Sequence, residues 1–282
     1  MAGHSHSHDH NGKLTIAVLI NILLTIAQVI GGILSGSLSL IADALHNLSD
    51  AGAIVVAIVA RKIGAKPASP SMTYGYKRAE ILGVLINSTT LVLIGLYLIV
   101  EAVNKYLNPT PIDGWIVIWV AGIALIIDVL TAILTYKSGA KDNMNIRAAF
   151  IHNVSDAMAS VAVIIAGILI IFYELYVVDV IATVGISLYV IFHGCLLLKR
   201  AVLILMQAVP EGMDVGDIKL ALENLDSVKT VSHIHVWQLD ENRLFFEGHV
   251  QVSGNATGTK DSIRSLLRQH FNITHCTIET GD

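Results

Sequence analysis

The chain has 282 residues and a net charge of −4; 54% of its residues are hydrophobic, only 14% are charged, and its mean hydropathy is +0.67. Soluble domains carry about 25% charged residues, so this composition points to a membrane protein, and without a basic stripe it excludes nucleic-acid binding. Two cysteines, Cys195 and Cys276, cannot build a disulfide framework, and neither lies in a CxxC pair.

Residues 1–13 are polar and His-rich, without the layout of a signal peptide, so the first apolar span is expected to direct insertion itself. A helix needs about 20 apolar residues to cross roughly 30 Å of hydrocarbon. Six segments qualify: 14–34, 38–60, 81–103, 115–136, 148–172 and 177–205. The turn Ser35-Gly36-Ser37 is short enough to fold the first two spans into a tight antiparallel hairpin. Arg61, Lys62, Lys66, Lys77 and Arg78 lie between spans two and three. Lys137, Lys141 and Arg147 lie between four and five, and Lys199 and Arg200 lie near the end of six. The alternate loops hold little charge, so the positive-inside rule places both termini in the cytoplasm.

Composition changes abruptly after Pro210. Residues 213–225 read as an amphipathic helix, 228–239 and 244–252 as strands, 261–270 as a helix and 274–279 as a short final strand. The order αββαβ describes a small, ferredoxin-like α+β domain. At about 70 residues it is marginal alone and is expected to dimerise or to pack beneath the membrane part. The fold class is therefore an α-helical membrane protein: a His-rich tail at 1–13, a six-span domain at 14–208 and a cytoplasmic α+β domain at 209–282.

The most informative feature is an internal echo. Span two contains Leu45-His46-Asn47-Leu48-Ser49-Asp50-Ala51, and span five contains Ile151-His152-Asn153-Val154-Ser155-Asp156-Ala157. Positions i and i+4 share one helical face, with Cβ atoms about 5–6 Å apart, so each helix offers an imidazole beside a carboxylate. Two facing helices offer four ligands, and Zn²⁺ favours four-coordinate tetrahedral sites of His nitrogen and carboxylate oxygen. The rival reading is that the four groups pair with one another for packing or line a proton path. Ionisable groups cost at least about 2.5–3.5 kcal/mol each at mid-bilayer, which makes two matched pairs a wasteful packing device and favours a metal. Asn47, Asn153, Ser49 and Ser155 flank the ligands and can support them or bond between helices. Asp43 lies one turn from Asn47 as a candidate for the ion pathway. Asp128 either relays protons or pairs with Gln28 or Asn21.

These residues resemble the cation diffusion facilitator family of zinc transporters. Further points of likeness are the run from Gly36 to Ala44, Tyr74-Gly75-Tyr76-Lys77-Arg78-Ala79-Glu80, Asn145-Ile146-Arg147-Ala148-Ala149-Phe150 and Val209-Pro210-Glu211-Gly212. The resemblance covers nearly the whole chain. It implies a homodimer of six-span subunits that exchanges cytoplasmic Zn²⁺ for protons by alternating access in a bacterial inner membrane, with His46, Asp50, His152 and Asp156 as the transport site. Relatives with two His and two Asp look zinc-selective, in keeping with the preference of imidazole for Zn, Cu, Fe and Ni and of oxygen for Mn and Mg. Ligand type alone leaves Cd²⁺, Co²⁺, Ni²⁺ and Fe²⁺ open as cargo. The loop between spans two and three has no histidine or acid from Met72 to Ala79, so no metal site is expected there. The short loop between spans four and five lacks the His-rich insert of many eukaryotic relatives.

Metal binds deprotonated ligands, so protons compete with it, and imidazoles titrate near pH 6.5. No phosphate-binding loop occurs, so a proton gradient rather than a nucleotide is expected to drive the cycle. Two further histidine groups stand out. His4, His6, His8 and His10 form a weak metal-gathering tail or an inert one. His233, His235, His249 and His275 lie on strands of the C-terminal domain, where the resemblance implies a regulatory metal site completed by Glu279 or Asp282; ordinary surface histidines are the alternative. Other classes weighed against transport are a membrane metal sensor and a membrane metalloenzyme. The latter is disfavoured because a catalytic zinc keeps one coordination position for water.

Overall fold

The computed structural model describes residues 22–137, 144–253 and 256–281. Helix α1, described over Ile22–Ser35, reverses into α2, Leu38–Gly64. Gly36 makes this reversal with φ +71, a left-handed conformation that glycine adopts without a Cβ clash. The Ser37 N–H donates to the Gly32 carbonyl at 3.0 Å across the turn. Four helices follow: α3 (Ala79–Leu107), α4 (Gly114–Lys137), α5 (Met144–Tyr173) and α6 (Val177–Leu205). Helices α2 to α6 are each long and apolar enough to cross a bilayer, while the described part of α1 is shorter.

The ends of α6 coincide with the span read from hydropathy, but α2 runs four residues further, to Gly64. Hydropathy marks where hydrocarbon stops, not where helical hydrogen bonding stops. Arg61 and Lys62 extend the last turn of α2, where cations are favoured by the helix dipole.

One compact unit comprises the chain up to Val55 together with Asn87–Cys195. Leu40, Val117 and Val163 are fully buried in its core. Helices α3 and α6 approach through glycine: a Cβ on Gly95 would stand 2.6 Å from Ile191 Cγ1, and one on Gly194 2.9 Å from Val92 Cγ2. Close packing of this kind drives helix association where lipid removes the hydrophobic contrast. The outer faces instead present Leu96, Trp119 and Phe172 at 50%, 69% and 75% exposure, an apolar surface suited to lipid.

One end of this unit is pinned by a buried carboxylate. Asp179 in the first turn of α6 accepts from Ser37 Oγ and Ser39 Oγ, both at 2.6 Å, and from the N–H groups of Leu38 and Ser39 at 2.9 and 3.2 Å. Lys105 Nζ lies 3.2 Å from it and also donates to the Gly36 carbonyl. The carboxylate thereby satisfies N–H groups that the start of α2 leaves without helical partners.

The second unit comprises Val56–Ile86 and the chain from Leu196 onward. Its C-terminal part is ordered α7 (Val215–Glu223), β1 (Val228–Asp240), β2 (Arg243–Val252), α8 (Ala256–Phe271) and β3 (His275–Gly281). Asp214 caps α7 by accepting from the Gly216 N–H at 2.6 Å. Strand β2 is central, antiparallel to β1 and parallel to β3, so α8 forms the crossover that a parallel pair requires. Ile218, Leu222, Val231, Phe246, Ile263 and Leu267 are fully buried in the resulting core. Glu223 ties α7 to β1: the Val231 N–H, donating at 2.9 Å, holds its carboxyl below the usual range, helped by the Thr230 hydroxyl. Helix α8 begins five residues before the predicted start at 261. Gly258 and Thr257, Thr259 and Lys260 around it belong to the first turns of this helix.

Candidate metal centre

Helices α2 and α5 bring the two echoed segments together. His46 Nε2 lies 3.6 Å from Asp50 Oδ2 on its own helix and 3.3 Å from Asp156 Oδ1 on the other. His152 Nε2 lies 3.5 Å from Asp156 Oδ2 and 3.2 Å from Asp50 Oδ2. Each imidazole nitrogen therefore touches both carboxylates, and the four groups close a ring. Ligand atoms of a tetrahedral zinc with bonds of roughly 2.0–2.1 Å stand about 3.3 Å apart; the four His–carboxylate spacings of 3.2–3.6 Å lie near that value, although the two imidazoles meet different oxygens of Asp156. Among the described residues, His46, Asp50 and His152 have ligand atoms that all lie within 4.8 Å of one another; Asp156, the fourth expected ligand, touches both imidazoles but does not belong to that set.

Hydrogen bonding alone does not account for this arrangement. Asp50 Oδ2 is buried and takes no well-directed hydrogen bond, although both imidazole nitrogens are near it. A buried carboxylate oxygen without a donor is costly, and a cation at the centre of the ring would satisfy it. Access is lopsided. The side chains of His46 and Asp156 are each 8% exposed, whereas those of His152 and Asp50 are 44% and 35% exposed. An ion arriving through the open pair would be held against the closed one.

The repeated asparagines have equivalent roles in the two helices. Asn47 Nδ2 donates to Gln28 Oε1 at 3.1 Å, tying α2 to α1, and Asn153 Nδ2 donates to Thr135 Oγ1 at 3.1 Å, tying α5 to α4. This is the interhelical reading of these residues, and it also fixes the rotation of each ligand-bearing helix. Ser155 bonds to its own backbone at Ile151. Gln28 pairs with Asp43 at 2.6 Å rather than with Asp128, which accepts from Ser160 Oγ at 3.1 Å. Asn21 lies outside the described residues.

Sequence reasoning overlooked Tyr189 on α6, whose ring meets His46 edge-on with centroids 6.0 Å apart, and His193 one turn later, 4.5 Å from Tyr189. A histidine inside an apolar span was the available signal. It also overlooked the Lys105–Asp179 pair, whose members lie 74 residues apart with no local signal of their meeting.

In the second unit, His233, His235 and His249 gather on the sheet. His233 and His235 Nε2 atoms are 3.4 Å apart, the rings of His233 and His249 are 4.8 Å apart, and His249 Nε2 lies 3.2 Å from Glu279 Oε2. A bulge between Ser232 and His235 re-aims this stretch of β1, and His233 holds the left-handed φ of +52 there. Such strain in a non-glycine residue clusters at functional sites. His275 is elsewhere: it pairs with Phe245, meets that ring at a tilt with centroids 4.4 Å apart, and sits four residues before Glu279, the register partner of His249. That offset is about 13 Å along a strand, so His275 does not join the other three. His4, His6, His8, His10 and Asp282 lie outside the described residues.

Comparisons with known proteins identify the family of the chain. Residues 14–206 match the family described as the cation efflux transmembrane domain, and residues 210–280 match the cation efflux protein cytoplasmic domain. The chain is 34% identical to the cadmium, cobalt and zinc/H(+)-K(+) antiporter of Bacillus subtilis, over 98% of this chain and 91% of the relative. It is 32% identical to the zinc transporter ZitB of Escherichia coli, with the same coverage. It is also 32% identical to the metal cation efflux system protein CzcD of Cupriavidus metallidurans, over 98% of this chain and 90% of that one. With helices of membrane-spanning length, two matched His/Asp pairs and both domains of the family in order, the chain belongs to the cation diffusion facilitator family, whose members are multi-pass cation-efflux transporters rather than enzymes.

Proposed function

We propose that this protein is a Zn²⁺/H⁺ antiporter that exports zinc from the cytoplasm through His46, Asp50, His152 and Asp156. The observation that carries this reading is the gathering of ligand atoms of His46, Asp50 and His152 within 4.8 Å of one another, with Asp156 against both imidazoles. Two imidazoles in the set favour zinc over harder ions. Because both must be neutral to bind metal, cytoplasmic Zn²⁺ displaces protons on one side and protons displace Zn²⁺ on the other. The names of the relatives extend the cargo to Cd²⁺ and Co²⁺ as the second choice.

The accompanying topology has six spans, with both termini cytoplasmic in a bacterial inner membrane. The membrane domain occupies 14–208 and a ferredoxin-like cytoplasmic domain occupies 209–282. A homodimer is supported by the small size of that domain, whose single core is marginal alone. A regulatory Zn²⁺ site on the sheet comprises His233, His235, His249 and Glu279, with His275 set aside because of its offset.

The test is Zn²⁺ uptake into proteoliposomes given a pH jump, comparing native protein with Asp50→Ala. Native protein is expected to accumulate Zn²⁺, and the variant to fall to the background of empty vesicles while eluting as a folded species. Unchanged uptake by the variant overturns the site. Zn²⁺ binding by native protein without accumulation makes the protein a sensor instead.

A further inference from the structure

Besides Asp179, two buried carboxyl groups of the membrane unit, Asp43 and Asp128, are not used by the metal centre. Asp43, 1% exposed, lies on α2 three residues before His46. Its Oδ2 accepts from Gln28 Nε2 on α1 at 2.6 Å, while its Oδ1 is buried with no hydrogen-bond partner. Gln28 is itself fully buried and receives Asn47 at its other end, so one chain of contacts links Asp43 to the ligand segment. Among the described residues, the ionisable groups that act on Asp43 are His46 on α2, Asp128 on α4 and Asp156 on α5, with neither lysine nor arginine among them. Asp128, the second unused carboxyl, has Ser160 as its donor.

Asp179 in the same unit shows how this chain supports a permanent buried carboxylate. It is given two hydroxyls, two backbone N–H groups and Lys105. Asp43 has one amide for two oxygens and no cation. An ionised carboxylate buried on those terms is the expensive state. What changes the terms is a divalent cation arriving one helical turn away.

From this juxtaposition we infer that Asp43 is a proton-binding site of the transport cycle, separate from the four metal ligands. The inference rests on the antiport reading above. At rest the carboxyl holds a proton. When a cation enters the centre from the cytoplasm, the Asp43 O–H bond breaks, its electron pair stays on the carboxylate, and the proton passes to cytoplasmic water. When the cation leaves on the other side, a proton from that side binds the same carboxyl. Through this group each cycle carries one proton inward for one cation outward, in addition to protons displaced from His46 and His152. Gln28 is the positioning residue, holding Oδ2 in both forms.

Calorimetric titration of the purified full chain with Zn²⁺, in two buffers of different ionisation heat, counts the protons released per ion. Asp43→Asn is expected to bind Zn²⁺ at the centre with native stoichiometry but to release about one proton fewer per ion. Gln28→Met keeps the carboxyl and removes its donor. It is expected to release the native number of protons, with the midpoint of release moved to higher pH. If native protein releases none and its Zn²⁺ flux ignores a pH gradient, the antiport reading itself falls. If native protein releases protons and Asp43→Asn releases as many, or if Asp43→Asn no longer binds Zn²⁺, the role of Asp43 alone is overturned.

Discussion

The molecule carries two clusters of histidine with carboxylate, and they differ in scaffold and in burial. In the membrane unit, helix spacing sets His46 beside Asp50 and His152 beside Asp156, and the facing helices close four groups into one ring. On the sheet, His233 and His235 form one pair and His249 with Glu279 another, on three strands with a bulge between them. The side chains of His249 and Glu279 are 51% and 76% exposed, against 8% for His46 and Asp156. Water can satisfy each group of the sheet cluster separately. His46 and Asp156 have no such choice in low-dielectric surroundings and must satisfy one another or a cation, whereas His152 and Asp50, at 44% and 35% exposure, form the accessible side of the cluster. On the proposed reading, the buried side of the membrane cluster is committed to its ion, while the exposed sheet cluster can fill and empty with metal.

The largest expected effect tests that commitment. Replacing His46 and His152 together by Asp makes the ring all-carboxylate, and the ratio of Zn²⁺ to Mn²⁺ flux in proteoliposomes should fall on the order of tenfold or more. An unaltered ratio means the imidazoles do not set selectivity. Next is the scaffold on which α2 is held. Asp179→Ala leaves Lys105 buried without its partner and should cost about 3–5 kcal/mol, seen as a lower Tm in detergent. A Tm within error of native would mean the clamp contributes nothing to α2. The smallest effect on transport belongs to the sheet. His235→Ala with His249→Ala should remove about one bound Zn²⁺ per chain, yet change maximal flux at saturating Zn²⁺ by less than about twofold. Collapse of flux in that variant would erase the distinction between the two clusters.

The same contrast explains how far the sequence could be read. Ionisable residues are rare in apolar helices, so His46, Asp50, His152 and Asp156 stood out from their surroundings, and their identical spacing announced a shared role. Strand histidines at a solvated surface carry no such penalty. The family resemblance grouped His275 with His235 and His249, whereas the parallel register of β2 and β3 sets His275 four residues from the position opposite His249. Lys105 and Asp179 look like ordinary charges at the ends of spans because nothing local reveals that they meet across 74 residues.

Helix existence, the number of apolar segments and the chemistry of the ligand pairs follow from local causes. Twenty apolar residues must close their own hydrogen bonds in lipid, and i to i+4 spacing places His beside Asp whatever the neighbours do. Which carboxylate lies across from which imidazole, which buried acids receive a cation and which receive a single amide, and which strand histidines share a face depend on helix rotation and strand register. Those are set by contacts between distant segments, such as Asn47 with Gln28, Asn153 with Thr135 and β2 with β3. No local pattern encodes them.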